Sequence, residues 1–231
     1  VRDFARLVDR GDLVVIDARP GRSRSGSPTL HVDSWRIAAK ALHPIPFGQL
    51  DDPETRLRQR STDLLVHPGA AEQLRRRTGI VRALRQTLEA AGFLEVETPI
   101  LHTVHGGATA RPFRTYINAY GLDLSLRIAP ELYLKRLVVG GLGAVFEIGR
   151  NFRNEGADAT HNPEFTSLEA YLPYADYTVM RHLTEDLVRA AATTVHGRPV
   201  VPLPTGRTPG APVELFDLES PWPVVPMLEA V

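Results

Sequence analysis

FEIGRNFRNEGADATHNPEFTSLEAY, running from Phe146 to Tyr171, is the stretch on which the fold turns. Phe146 and Ile148 alternate with Glu147 and Gly149 before the chain becomes polar at Arg150, Asn151, Arg153, Asn154 and Glu155. A loop holding Gly156, Asp158 and His161 follows, and a second alternating run begins at Pro163. There Phe165, Ser167, Glu169 and Tyr171 fall on one face, with Thr166, Leu168 and Ala170 on the other. Period-two alternation on both arms predicts an antiparallel strand pair joined by a polar loop. One face of that pair gathers Arg153, Glu155, Glu169 and Tyr171 around the ring of Phe165. Such a charged strand face is either solvated or the floor of a pocket.

FRNEG, the downstream HNPEFT and the closing LEAY resemble motif 2 of class II aminoacyl-tRNA synthetases, in the lysyl-tRNA synthetase form of subclass IIb. Three more segments agree in order and spacing: GFLEVETPIL (Gly92 to Leu101), GGATARPF (Gly106 to Phe113) and LRIAPELYLKRLVVGG (Leu126 to Gly141). The likeness extends over about Asp12 to Tyr177 and is far more specific than a single glycine motif. It implies an α+β fold: an incomplete antiparallel-sheet class II catalytic core, preceded by part of a β-barrel OB-fold. The implied domains are the later part of an OB-fold anticodon-binding domain at 1–42, a linker at 43–66, and the first part of the catalytic domain, with motifs 1 and 2, at 67–231.

Composition is permissive. A hydrophobic share of 43% in 231 residues suffices for a packed core, in one large domain or two smaller ones. The formal net charge of zero leaves an RNA partner open, because a local patch can hide in a balanced total. Only Lys40 and Lys135 are lysines among the 27 basic residues, a bias that a GC-rich genome explains as readily as phosphate binding. The absence of cysteine excludes disulfides and thiolate metal sites and fits a cytoplasmic location. No apolar run is long enough to span a bilayer, and VRDFARLVDRGD has no signal-peptide core. Val1 in place of an initiator Met reads as a cut point.

Outward from the central hairpin, DLVVIDA (Asp12 to Ala18) and TLHVDSWRI (Thr29 to Ile37) are expected strands around a turn carrying Arg19, Arg22 and Arg24. Those arginines suit RNA phosphates or simply a solvated tip. Ala38 to Arg60, with Pro44, Pro46 and Pro53, reads as a linker. Ala70 to Ala91 is an expected helix with Leu74, Val81, Leu84 and Leu88 on one face and Gly92 as C-cap. By resemblance this helix and Glu97-Thr98-Pro99 form motif 1, which implies a homodimer. A hairpin around Tyr120-Gly121 comes next. Then Pro130 opens a helix offering Leu132, Leu134, Leu137 and Val138 for burial. Thr178 to His196 is amphipathic, and the proline-rich Val200 to Pro226 reads as irregular.

The implied reaction joins lysine to tRNA(Lys) through lysyl-adenylate. A carboxylate displaces pyrophosphate at the α-phosphate of ATP, so the protein's work is to position and to neutralise charge. By resemblance, Arg153 is the catalytic residue that holds the α-phosphate and the lysine carboxylate. Glu155 contacts the adenine side, His161 reaches the outer phosphates and Phe165 stacks on the base. Gly107 and Glu131 receive the α-amino group, and Glu169 with Tyr171 receive the ε-ammonium. Read without the family, Arg153 is a sheet-face ion-pair partner of Glu155 or Glu169, His161 a surface residue and Phe165 a core ring.

Nothing after Tyr177 resembles motif 3, and the family's Mg²⁺ ligands are expected downstream, with no metal site in this stretch. The expectation is a fragment that forms no lysyl-adenylate by itself; lysine-dependent pyrophosphate exchange by the purified chain would contradict it. Two alternatives remain. The GADATHNPEFT loop and HVDSW hairpin also resemble the synthetase portion of a bacterial fusion that supplies lysyl-tRNA for phosphatidylglycerol lysylation. The other is a non-catalytic synthetase-like paralogue that binds RNA or a partner.

Overall fold

The computed structural model describes residues 2–158, 160–206 and 211–230. The chain divides into two compact units, Val1–Arg75 and Arg76–Val231.

The first unit opens with α1 (Arg2–Leu7), followed by a long antiparallel hairpin of β1 (Leu13–Arg22) and β2 (Pro28–Ala39). Both strands run beyond the limits expected from alternation. Register shifts at Leu13/Val14 and Asp17/Ala18 let the hairpin continue past places where strict alternation lapses. Phe4 of α1 meets Trp35 of β2 edge-on at 5.0 Å. Lys40 bonds Asp12 at 2.7 Å, which holds the Asp12 carboxyl down at about 2. At the turn, Arg19 is paired with Asp33 across the strands and Arg22 donates to the Gly26 carbonyl at 2.7 Å. Two of the three turn arginines thus already serve the hairpin itself.

Two short helices, α2 (Pro53–Arg58) and α3 (Arg60–Val66), lie where the sequence reads as linker. Asp52 caps α2 by accepting from the Thr55 amide, and Pro53 sits in the first turn, both strong helix-start signals that override the lack of apolar periodicity. Asp63 is wholly buried in α3 but is held by Arg56, Arg60 and His67. The Arg56 guanidinium beside it keeps its carboxyl below the usual range.

The helix α4 (Pro68–Ala90) leads into the second unit. Gly92 follows it at φ +84°, a left-handed conformation that suits glycine, and the Phe93 amide bonds back to Leu88. After β3 (Leu94–Glu95) and β4 (Leu101–His102) come β5 (Arg114–Ile117) and β6 (Leu122–Leu126), paired antiparallel. Next are α5 (Glu131–Val139), β7 (Val145–Phe152), β8 (Glu164–Tyr171) and α6 (Tyr177–His196). Asp176 caps α6 and Gly197, at φ +74°, ends it. Leu132 of α5 is exposed rather than buried, while Leu134 is fully enclosed.

Strand order is β3-β7-β8 in one sheet and β4-β6-β5 in the other. Pairing is antiparallel except for the short parallel contact of β3 with β7. The back of β7–β8 supplies Phe146, Ile148, Leu168 and Ala170 to a core with Leu88 of α4, Phe93, and Leu183 and Leu187 of α6. That core leaves the opposite face of β7–β8 free for chemistry. Val200–Pro204 (β9) and Val213–Asp217 (β10) pair as an antiparallel hairpin, and α7 (Met227–Ala230) follows. This corrects the irregular reading of Val200 to Pro226. Pro202 and Pro204 are compatible with a two-stranded ribbon, where a strand has one unpaired side; residues 207–210 lie outside the described set.

Among the described residues no helix is long and apolar enough to cross a membrane.

Candidate active site

Cross-strand register builds the site. Glu147 lies opposite Glu169, Gly149 opposite Ser167 and Asn151 opposite Phe165, so these six share the face turned away from the core. Tyr171 ends the same row on β8. Residues four apart on a strand are separated by about 13 Å, so Phe165 and Glu169 mark two subsites along one strand.

At the Phe165 end, the Arg153 guanidinium lies 5.0 Å over the ring and donates to the Ile128 carbonyl at 3.4 Å. The Arg153 amide bonds the Pro163 carbonyl at 2.8 Å, which ties both stems of the loop together. Among the described residues no ion pair joins Arg153 to Glu155 or Glu169, so the sheet-face ion-pair alternative is not what forms. Arg153, Glu155, Asp158, His161 and Phe165 line one cleft of about 540 Å³. Glu155 is exposed, and one of its oxygens accepts the Arg111 amide at 3.3 Å.

At the Glu169 end, the Tyr171 hydroxyl donates to Glu169 at 3.0 Å. Burial raises the Glu169 pKa, the Tyr171 bond opposes that rise, and the nearby Glu131 carboxylate reinforces it. Burial and the Glu169 charge likewise push the Tyr171 hydroxyl well up, so it remains a donor. Glu131, in the first turn of α5, pairs with Lys135 one turn on. Lys135 also lies 5.9 Å over the Tyr171 ring. Gly107 (φ +88°) passes so close that a Cβ there would sit 2.9 Å from the Glu131 Cβ. Backbone and carboxylate therefore meet where a side chain would intrude. The sequence-predicted residues thus form two groups on one face, with Arg153, Glu155, His161 and Phe165 at one end and Gly107, Glu131, Glu169 and Tyr171 at the other.

Between and beneath these groups lies a buried polar cluster that sequence reasoning missed. Arg127 is 1% exposed and Glu147 4% exposed, and they form a salt bridge. Arg127 also donates to the Arg150 carbonyl at 2.8 Å, and Glu147 accepts from the Thr98 hydroxyl at 2.6 Å. Gly149 is required here, since a Cβ would fall 2.1 Å from the Arg127 guanidinium. Glu147 and Glu169 are like charges placed directly across two strands, an arrangement that repels. Arg127 forms its ion pair with Glu147, while Glu169 has the Tyr171 hydroxyl as its hydrogen-bond partner. Buried Asn151 donates to Ser167 at 2.6 Å while its Oδ1 has no partner among the described residues. His102 donates from Nε2 to the Pro99 carbonyl at 2.9 Å against the Tyr133 ring, and burial keeps it neutral. The available signal was charge inside apolar strands, in LSLRI and VFEIG, because a buried charge needs a buried partner.

Among the described residues no group of three or more His, Asp or Glu is placed to share a metal ion. A row with an aromatic platform and a cation at one end and two carboxylates at the other suits a ligand that is phosphorylated at one end and cationic at the other. Cation recognition at Glu169 carries a pH signature. A ligand ammonium needs the ionised carboxylate, so affinity falls as pH drops through the raised Glu169 pKa, earlier than at an ordinary glutamate. Glu169→Gln is expected to weaken binding of an ammonium-bearing ligand roughly ten- to hundredfold at neutral pH and to flatten that dependence, as read by calorimetry from pH 5 to 8.

Residues 52–231 match the family model of tRNA synthetases class II (D, K and N). The chain is also similar to three proteins named lysylphosphatidylglycerol biosynthesis bifunctional protein LysX. Identity is 53% over 231 residues with that of Gordonia bronchialis, covering 99% of this chain and 20% of the relative. It is 52% over 233 residues with that of Rhodococcus jostii, covering 100% and 21%. The Mycobacterium marinum protein is 49% identical over 231 residues, covering 99% and 21%. The chain therefore spans about a fifth of the length of these relatives.

Proposed function

Because the chain belongs to the class II tRNA synthetases of the D, K and N group, we propose that it is the lysine-activating part of a bifunctional protein of lysylphosphatidylglycerol biosynthesis. Its product, lysyl-tRNA(Lys), would be the lysine donor for the lipid. A free-standing lysine–tRNA ligase shares the same chemistry; the bifunctional setting is favoured because the relatives matching nearly all of the chain carry that name. The observation that carries the choice of lysine is the hydrogen-bonded Glu169–Tyr171 pair at the end of the strand face, with Glu131 beside Gly107. A half-buried carboxylate with no guanidinium of its own discriminates by charge against apolar and acidic side chains.

In the proposed mechanism, lysine lies along β8 with its ε-ammonium on Glu169 and Tyr171 and its α-ammonium on Glu131. The Lys135 ammonium that pairs with Glu131 gives way as the substrate amine arrives. Arg153 bridges the lysine carboxylate and the α-phosphate of ATP, and Phe165 stacks on adenine, an arrangement worth about 1–3 kcal/mol for a base on a ring. Glu155 receives the adenine edge and His161 the outer phosphates. A carboxylate oxygen then attacks the α-phosphorus, a new P–O bond forms, and the bond to the leaving pyrophosphate breaks. The guanidinium fork of Arg153 opposes the charge that gathers on the equatorial oxygens. A hydroxyl of the tRNA 3′-terminal ribose afterwards attacks the lysyl carbonyl, an ester forms, the bond to AMP breaks and AMP leaves. The β1–β2 hairpin as part of an OB-fold, and dimerisation through α4 and Glu97-Thr98-Pro99, complete the reading.

The test uses a hybrid in which this chain replaces the matching fifth of the Gordonia bronchialis relative. Supplied with labelled lysine, ATP and tRNA, the hybrid is expected to charge tRNA and to label phosphatidylglycerol vesicles only when tRNA is present. Label that reaches lipid without tRNA, or tRNA that stays uncharged, would contradict the proposal.

A further inference from the structure

We infer that Ser167 is a further substrate-contacting residue: its hydroxyl donates to a carboxylate oxygen of the amino acid at the middle of the strand row, beside the guanidinium of Arg127. The inference rests on the lysine reading of the site and fills a gap in it. Arg153 bridges the carboxylate and the α-phosphate in that reading, which leaves one carboxylate oxygen without a donor. Ser167 stands between Phe165 and Glu169 on β8, about 6.7 Å along the strand from each. The extended stem of lysine covers that distance. An amino acid with its ε-ammonium on Glu169 therefore brings its carboxylate to Ser167.

Hydrogen bonding at the middle of the row leaves donors there. Ser167 is half-buried, and its Oγ accepts from the Asn151 side-chain amide at 2.6 Å. The hydroxyl proton is not used in that bond, and Oγ makes no other bond among the described residues, so it is free to donate. Accepting one bond also strengthens the hydroxyl as a donor. Asn151, 1% exposed, gives its amide to Ser167 while its own Oδ1 stays without a partner. Gly149 faces Ser167 across the strands, and Arg127 takes up the room that the missing side chain leaves, with Nη2 2.1 Å from where a Cβ would stand. Arg127 spends Nε on the Arg150 carbonyl and Nη1 on Glu147 and Thr98. Nη2 has no acceptor among the described residues. It is not one of the fully sealed unpartnered atoms, which there are His102 Nδ1 and Asn151 Oδ1, so it keeps an open side. A free hydroxyl proton next to guanidinium N–H groups suits an anionic oxygen and not an ammonium.

The competing role for Ser167 is structural, a hydroxyl that only satisfies the buried Asn151 amide. Cadaverine separates the two, because it carries both ammonium groups of lysine on the same stem and has no carboxylate. In the hybrid protein without ATP, Ser167→Ala is expected to weaken lysine binding about tenfold at pH 7.5 and to leave cadaverine binding unchanged, as read by calorimetry. A structural role would move both ligands together or neither. Unchanged lysine affinity in Ser167→Ala, or equal losses for lysine and cadaverine, would overturn the role while the lysine reading stands. A parent hybrid that binds cadaverine as tightly as lysine overturns it too, since the carboxylate then meets no donor. A parent that binds neither refutes the lysine reading itself.

Discussion

Arg153→Ala in the hybrid protein is expected to lower the rate of lysyl-adenylate formation by about 10²- to 10³-fold, the loss typical of removing one preorganised donor from a transition state. On the proposed mechanism the effect should fall on the chemical step. The Arg153 backbone is tied to Pro163 at 2.8 Å, so the side chain starts from a braced point at the mouth of the loop. Its guanidinium meets the Phe165 ring and one carbonyl, and it is not consumed by an acidic partner among the described residues. A planar fork in this state can meet two oxygens at once. Arg153→Lys should therefore restore charge but recover only part of the rate, because an ammonium offers no bidentate geometry. Single-turnover adenylate formation with saturating lysine and ATP reads this directly. A variant that slows only at low ATP, with an unchanged rate at saturation, would show that Arg153 merely binds the nucleotide.

The second large effect concerns stability. Arg127→Met is expected to destabilise the unit from Arg76 to Val231 by about 3–5 kcal/mol, because it strands the buried Glu147 carboxylate without its partner. Thr98 would remain as a donor to Glu147, and that is not enough to replace a guanidinium that also binds the Arg150 and Thr98 carbonyls. Adding Glu147→Gln should return a substantial share of the loss, since the cost lies in the unpaired charge more than in the missing contact. Urea unfolding followed by Trp222 fluorescence, in a Trp35→Phe background, isolates this unit. A loss below about 1 kcal/mol would mean that Glu147 escapes to solvent and that the cluster is not the sealed base of the site.

These two residues also show what the sequence could and could not reveal. Arg153 was singled out by its likeness to the motif 2 arginine, whereas alternation alone placed it only beyond the end of a strand whose other face is apolar. The same alternation fixed which of Phe165, Ser167, Glu169 and Tyr171 share a side, and the register agrees. Arg127, just past the end of β6, and Glu147 in β7 both sit in apolar runs, but their partnership joins segments of two different sheets, 20 residues apart. Pattern alone named neither as the other's partner. The helices at Pro53–Arg58 and Arg60–Val66 were hidden for another reason. They are short and polar, and they are held by the Asp52 cap and by the arginines around Asp63, with no apolar stripe to announce them. Proline content concealed the Val200–Pro204 strand, where pairing on a single side tolerates residues without an amide proton. The Asp158–His161 contact was missed because a loop aspartate two residues before a threonine reads as turn chemistry until both its oxygens are seen on one histidine.

Identity of the activated amino acid is the point on which everything else depends, because the D, K and N group offers an acid, a base and an amide as substrates for similar cores. Amino-acid-dependent exchange of pyrophosphate into ATP by the hybrid, with lysine, aspartate, asparagine and norleucine in parallel, decides it. Lysine should support exchange, with the other three at least tenfold behind: norleucine lacks the ammonium that Glu169 receives, aspartate is repelled by it, and asparagine leaves it unneutralised. Exchange driven by aspartate or asparagine, or by norleucine as well as lysine, would show that the Glu169–Tyr171 end of the strand face does not choose the substrate.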